Sequence, residues 1–213
     1  MSKNYLVILL FLLNGAALVG QSSNNAFRKL ACSEKKWVLA HPFIAVKAFN
    51  CAVRSRFVTD SLEKNQLLKD GNGGQLDAFR HAYWMALLAV QFSAKKAIRL
   101  GKVHEQGNYS DWKKGIQEDG FRADSMMCEM DLKNNLVGVE LGTSFRKDTS
   151  KIKLSLTEQV LAAVKSGKLT IIKKNNVGQW LDEAGRIIDL KQYGKQWFIP
   201  KVLVRSDYVQ PRN

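Results

Sequence analysis

The sequence predicts a mainly α protein, a compact helical bundle around a central buried helix at about residues 77–100, with a small irregular or β C-terminal extension. Three observations carry this reading. From Asp77 to Leu100, apolar residues surround most of a helical projection (Phe79, Ala82, Tyr83, Trp84, Met85 and on to Phe92), as in a helix buried among others. Helix punctuation recurs on both sides, with Pro42 placed to start a helix and Ser155-Leu156-Thr157-Glu158 in the form of a capping box. The tail instead carries short β-branched runs.

The elements follow in chain order. Residues 1–20 read as a signal peptide: Lys3 supplies a positive start, Tyr5 to Leu13 an apolar core, and Gly15, Ala16, Ala17 and Gly20 the small residues before a polar stretch. That core is shorter than the roughly 20 residues a spanning helix needs, and the competing reading is an uncleaved N-terminal anchor. The chain is therefore expected to be exported, to a periplasmic or extracellular place, with no transmembrane helix in its mature part. Residues 26–56 read as helix broken once at His41-Pro42, with a second helix from Phe43 to Phe57. Asn72-Gly73-Gly74 marks a turn. The central helix is expected to stop at Gly101, followed by a short helical piece near Lys102–Gln106, a Gly-containing loop, and a helix from about Ser125 to Val137. The capping-box helix ends at Gly167. Leu169–Ile172, Trp197–Ile199 and Val202–Val204 are strand candidates. There is no internal repeat, so residues 26–145 read as one helical core domain and 146–213 as an extension packed on it.

The formal charge is +14. Removing residues 1–20 takes away Lys3 and no acid, which leaves +13. Such a charge favours anionic neighbours, but the lysines are scattered, and a basic solvated surface explains them as well as a polyanion groove does. No specific nucleic-acid motif is present. The three cysteines (Cys32, Cys51, Cys128) permit at most one internal bridge, for which Cys32 and Cys51 are the natural pair by proximity.

Polar residues sit where apolar ones are expected. Asp77, Arg80 and His81 share one face of the central helix at i, i+3 and i+4. Burying them costs several kcal/mol unless they pair or bind something. A carboxylate beside an imidazole fixes its tautomer and stabilises its charged form, as acid–base catalysis or metal ligation requires. The bland alternative is a helix-start carboxylate with Arg80 as partner. His104-Glu105 lacks the second histidine of a zinc-protease helix, because Asn108 stands four residues on. On a helix these two side chains diverge by about 100°, so both reach one site only at a helix end or loop edge. Asp131, Asn134 and Asn135 share a third face, where the paired amides point either to binding or to a helix end before Gly138.

In this order, Asn72-Gly73-Gly74-Gln75-Leu76-Asp77-Ala78-Phe79-Arg80-His81, then His104-Glu105, then Met130-Asp131-x-x-Asn134-Asn135-x-x-Gly138, the chain resembles a family of uncharacterised bacterial helical domains over roughly residues 35–145. The resemblance implies that the three polar sets form one site; it implies no activity. Two classes of function fit. One is a hydrolase-like enzyme on an unknown, anionic substrate. In its metal form, His81, His104 and Asp131 hold a divalent ion such as zinc, Glu105 is the general base, and Arg80 or Asn135 steadies developing negative charge. In its metal-free form, Asp77 orients His81 as the base. The other is a non-catalytic binding or structural module whose buried polar network, Asn134 and Asn135 included, holds the helices in register. A polyanion binder using the net charge is a third reading. No Gly-x-Ser-x-Gly, phosphate loop or nucleophilic cysteine pattern supports other enzyme classes.

Overall fold

The computed structural model describes residues 27–68, 70–117, 122–150 and 153–209. The apolar N-terminal run behind the export reading lies outside these residues.

Helices dominate. Helix α1 (Cys32–Ala40) runs into α2 (Pro42–Lys64) across His41, and Pro42 occupies the first turn, where its missing N–H costs no hydrogen bond. Helices α3 (Gln75–Gln91), α4 (Ala94–Lys114), α5 (Ser125–Lys147) and α6 (Leu156–Lys165) follow. Ser155 and Glu158 form the expected reciprocal cap, with Ser155 N–H on Glu158 Oε2 at 2.7 Å. A two-stranded antiparallel sheet closes the fold, β1 (Thr170–Ile172) against β2 (Leu203–Arg205), with Ile171 opposite Val204. The third strand candidate, Trp197–Ile199, forms no strand; it supplies a carbonyl to the Ser125 N–H at the start of α5.

Helix α3 is the central element, packed against α2, α4, α5 and α6. Phe79, Met85 and Leu88 are fully buried, and each stabilises the fold by about 1.5–3 kcal/mol through burial. One apolar cluster joins Phe79, Ala82 and Tyr83 to Val160 and Val164 of α6 and to Leu169 and Ile171. A second joins Met85, Leu88 and Ala89 to Trp37, Ala97 and Val139.

Glycines hold the main differences from the sequence expectation. The central helix stops at Gln91, not Leu100, and Ser93 caps a new helix. That helix, α4, runs unbroken through Gly101 and Gly107 and ends at Gly115 in the left-handed region (φ 71°). The short piece near Lys102–Gln106 and the loop after it are thus parts of one long helix. Gly101 is a contact residue there, since a Cβ on it would lie 3.1 Å from Met85 Cε and from Asn135 Nδ2. Likewise α5 does not end near Val137. It continues ten residues further because Gly138 and Gly142 face α3, where a Cβ would lie 2.1 Å from Ala82 O and 2.2 Å from Ala86 O. Two helices meet there backbone to backbone. The cysteines are free thiols. Cys51 faces the core while Cys32 is exposed, so the bridge suggested by proximity is not made.

Candidate metal centre

The close approach at Gly138 and Gly142 sets the site. It presses α5 onto α3 one residue beyond His81, and so brings Asp131, two turns earlier on α5, to the start of α3. His81 Nε2 lies 3.7 Å from Asp77 Oδ1 and 3.5 Å from Asp131 Oδ1, and one donor atom from each of the three residues falls within 4.8 Å of the others. All three are buried. These separations are too long for good hydrogen bonds. They are close to the roughly 3.4 Å that separates ligand atoms around a tetrahedral ion bound at about 2.1 Å.

Asp77 is held from both sides. Its Oδ2 accepts the Gly73 N–H at 2.9 Å and its Oδ1 accepts Arg80 Nη2 at 2.7 Å. The turn that carries Gly73 is gripped by the C-terminal extension: Ile172 N–H donates to Gly73 O, and Lys174 Nζ donates to Asp70 Oδ1 at 2.6 Å and to Asn72 O at 2.7 Å. Residues beyond 168 therefore build the site although they contribute no ligand to it.

The electrostatics follow from burial and neighbours. Burial alone would raise the Asp77 carboxyl, but Arg80, His81 and the Gly73 N–H together hold it below the usual range. Burial takes the His81 imidazole down to about 3, with Arg80 and His104 repelling its charged form against the pull of Asp77 and Asn135. His81 is thus neutral near pH 7, the form that ligates metals. Burial, then the nearby carboxylates of Asp77 and Glu105, push Asp131 well above its ordinary value. His81 Nδ1 and Asp131 Oδ1 are buried and make no hydrogen bond within the protein. A neutral base between two carboxylates, one raised for want of a positive charge, is a donor set that could hold a divalent cation.

The remaining predicted residues divide. His104 lies on the cleft wall with its ring 5.9 Å from that of His81, and its Nδ1 is 2.9 Å from Glu34 Oε1 on α1. It stands outside the three-residue donor group. Glu105 is buried and is not among the residues lining the cleft, but it contacts two that are: it accepts Asn108 Nδ2 at 3.0 Å and pairs with the Cys128 thiol, and burial raises its carboxyl. The pair sits in mid-helix, and not at the helix end or loop edge that a shared site would have required. Asn134 is fully buried and pairs with one residue of β1 on both sides of its amide, accepting Thr170 N–H at 2.8 Å and donating to Thr170 O at 2.9 Å. Asn135 is buried on α5 against Gly101 of α4, and its amide nitrogen and oxygen make no hydrogen bond within the protein.

The site opens into a cleft of about 480 Å³. Asp77, His81, Asp131, His104 and Cys128 line its inner part, with Arg56, Arg80 and Arg122 among the charged groups around it, balanced by Asp60, Glu63 and Asp111. Trp180 and Lys201 bring the C-terminal extension to its wall. Lys201 is 1% exposed and pairs at 2.6 Å with Asp124, which in turn caps α5 through the Met126 and Met127 N–H groups. Sequence reasoning missed Glu34, Asp124 and Lys201. Glu34 left one signal, as the only acid from Phe27 to Thr59.

A family model described as Domain of unknown function (DUF6973) matches residues 35–168, well over half of the chain. The chain belongs to this family. The match runs past the residue-145 limit of the motif resemblance and takes α6 into the DUF6973 domain, in keeping with the apolar cluster that α6 shares with α3. All three polar motifs lie within it. No curated protein and no solved structure matches the chain. Among the described residues, no helix is long and apolar enough to cross a membrane.

Proposed function

We propose that this DUF6973 protein is an exported, metal-dependent hydrolase of an anionic substrate, with Asp77, His81 and Asp131 as the metal ligands. The observation that carries the reading is the convergence of two buried carboxylates and a neutral imidazole, at ligand-like separations, where a sizeable cleft ends. Export rests on the N-terminal apolar run. A divalent ion held there would supply an activated water and a Lewis acid for a phosphoryl or carbonyl oxygen.

The chain's own residues then take distinct parts. Arg80 fixes Asp77 and reaches the cleft with 37% of its side chain exposed, which suits it to an anionic group of the substrate. His104, oriented by Glu34, is the general acid–base group, since it faces the cleft and Glu105 does not. Asn135, whose buried amide is unpaired within the protein, is a second group that could steady developing negative charge, and Asn134 ties α5 to β1. The structural-module reading keeps Asn134 for this reason. It does not suit His81 and Asp131, because a network that only holds helices in register satisfies its buried atoms internally.

The test is hydrolysis of chromogenic phosphomonoesters and phosphodiesters by the purified protein loaded with zinc or manganese. His81→Ala and Asp131→Asn are expected to abolish turnover in folded protein, and Glu34→Gln to lower it and shift its pH profile. Turnover that survives both ligand substitutions would sink the proposal.

A further inference from the structure

Helix α2 is built inside out. The residues it buries are mostly small or polar: Ala48, Cys51, Ser55 and Thr59, with Leu62 near its end. Its large apolar side chains face outward, with Phe43 93% exposed, Val46 66%, Val53 52% and Phe57 68%. At about 100° per residue, these four and the partly exposed Phe49 fall within an arc of about 120°. Exposed Lys47 and Arg54 flank the arc on one side, and Arg56 borders it on the other. From Lys35 to Thr59 the chain carries five lysines and arginines and no acid; exposed Asp60, in the same arc, marks the end of the stripe.

Single exposed apolar residues are ordinary, but a continuous apolar stripe with three aromatic rings, bordered by cations, marks an interaction face. We propose that this face of α2 docks the protein on an anionic lipid surface, lying in the interface plane. Charge complementarity selects that occupant. An amphipathic helix with aromatics on one face and lysine and arginine beside them gains both from burial in the acyl boundary and from acidic headgroups. A second copy of this chain would instead bring these cations against their own equivalents. The next turns of the same helix carry Arg56, Thr59, Asp60 and Glu63 into the cleft, so docking places the cleft mouth beside the headgroups. Membrane docking does not depend on the metal reading.

The experiment is flotation of the full chain with vesicles of phosphatidylethanolamine and phosphatidylglycerol, beside vesicles of phosphatidylcholine alone. The unmodified protein is expected to bind the anionic vesicles, more weakly at high salt. Phe43→Ser with Phe57→Ser should weaken binding by about tenfold for each ring removed, while thermal stability stays unchanged because both rings are exposed. Lys47→Glu with Arg54→Glu should remove the preference for anionic vesicles and leave the fold intact. Binding unchanged in both double variants would overturn the proposal, since it would place the contact elsewhere in the chain. So would a lack of vesicle binding. Light scattering that finds a dimer, made monomeric by the serine substitutions with no vesicle binding, would assign the face to a second copy instead.

Discussion

Replacing Gly138 by alanine tests the link between helix packing and the site. The added Cβ would lie 2.1 Å from Ala82 O and 2.8 Å from Ala82 C and Cα. Ordinary contact begins at about 3.4 Å, so relief of the clash with Ala82 O requires α5 and α3 to part by about 1.3 Å. The obstacle is backbone on a buried helix, which cannot rotate away as a side chain does. Overpacking of this kind costs about 1–3 kcal/mol or more, partly offset by the up to 1 kcal/mol that alanine gains over glycine in a helix. In a domain of this size the net loss lowers Tm by roughly 2–4 °C per kcal/mol. The site feels the same movement, because His81 precedes Ala82 and Asp131 lies on the displaced helix. Metal sites tolerate only about 0.2 Å in ligand distance, so metal affinity should collapse even where the variant stays folded. Urea denaturation gives the first quantity and zinc titration by calorimetry the second. A Gly138→Ala protein with unchanged stability and unchanged zinc binding would refute the reasoning.

Further predictions concern single groups. In protein freed of metal with a chelator, Asp131→Asn should be more stable than the unmodified chain near pH 7, and its advantage should shrink as pH falls. The sign follows from burial: the folded state holds a proton on Asp131 above the pH at which the unfolded chain releases it, so stability falls as pH rises from about 4 toward the raised value, by up to about 1.4 kcal/mol per unit. Urea midpoints at pH 5 and pH 7 measure this, and an Asp131→Asn protein that is less stable at both would favour the structural network. His81 has the opposite sign, with a folded value of about 3 below its unfolded value near 6.5, so its contribution is present above pH 6.5 and lost as pH falls toward 3; His81→Gln should flatten that part of the stability profile. Lys201→Ala leaves Asp124 buried without its cation and should cost about 3–5 kcal/mol by urea denaturation; a loss below about 1 kcal/mol would contradict the view that this pair anchors the extension on α5.

Much of the site was legible because charge in an apolar helix needs a reason. Asp77 and His81 stood out by that test, and Asp131 by the two asparagines on its face; the structure brings the three together, with Asp77 in the donor group where the sequence suggested His104. Pro42 and the Ser155–Glu158 cap were readable because their chemistry is local. Glycine was not. Its missing side chain serves equally to end a helix and to let two helices touch, and only the partner distinguishes these uses. Gly101 and Gly138 read as terminators, whereas their partners are Met85 with Asn135, and the Ala82 backbone. The link from Glu34 to His104 was invisible for a related reason: 70 residues separate them in the chain, and only the packing of α1 on α4 joins them. The extension's grip on the Asp77 turn, through Lys174 and Ile172, is likewise a long-range contact with no periodic signature.

The most direct measurement is elemental analysis of the purified protein, made without a metal-binding tag, beside His81→Ala and Asp131→Asn. The metal reading predicts about one divalent transition metal per chain in the unmodified protein, and its loss in both variants while their helical circular dichroism persists. Protein that takes up no stoichiometric metal after incubation with zinc or manganese, or that keeps it after both substitutions, would contradict a metal centre at Asp77, His81 and Asp131.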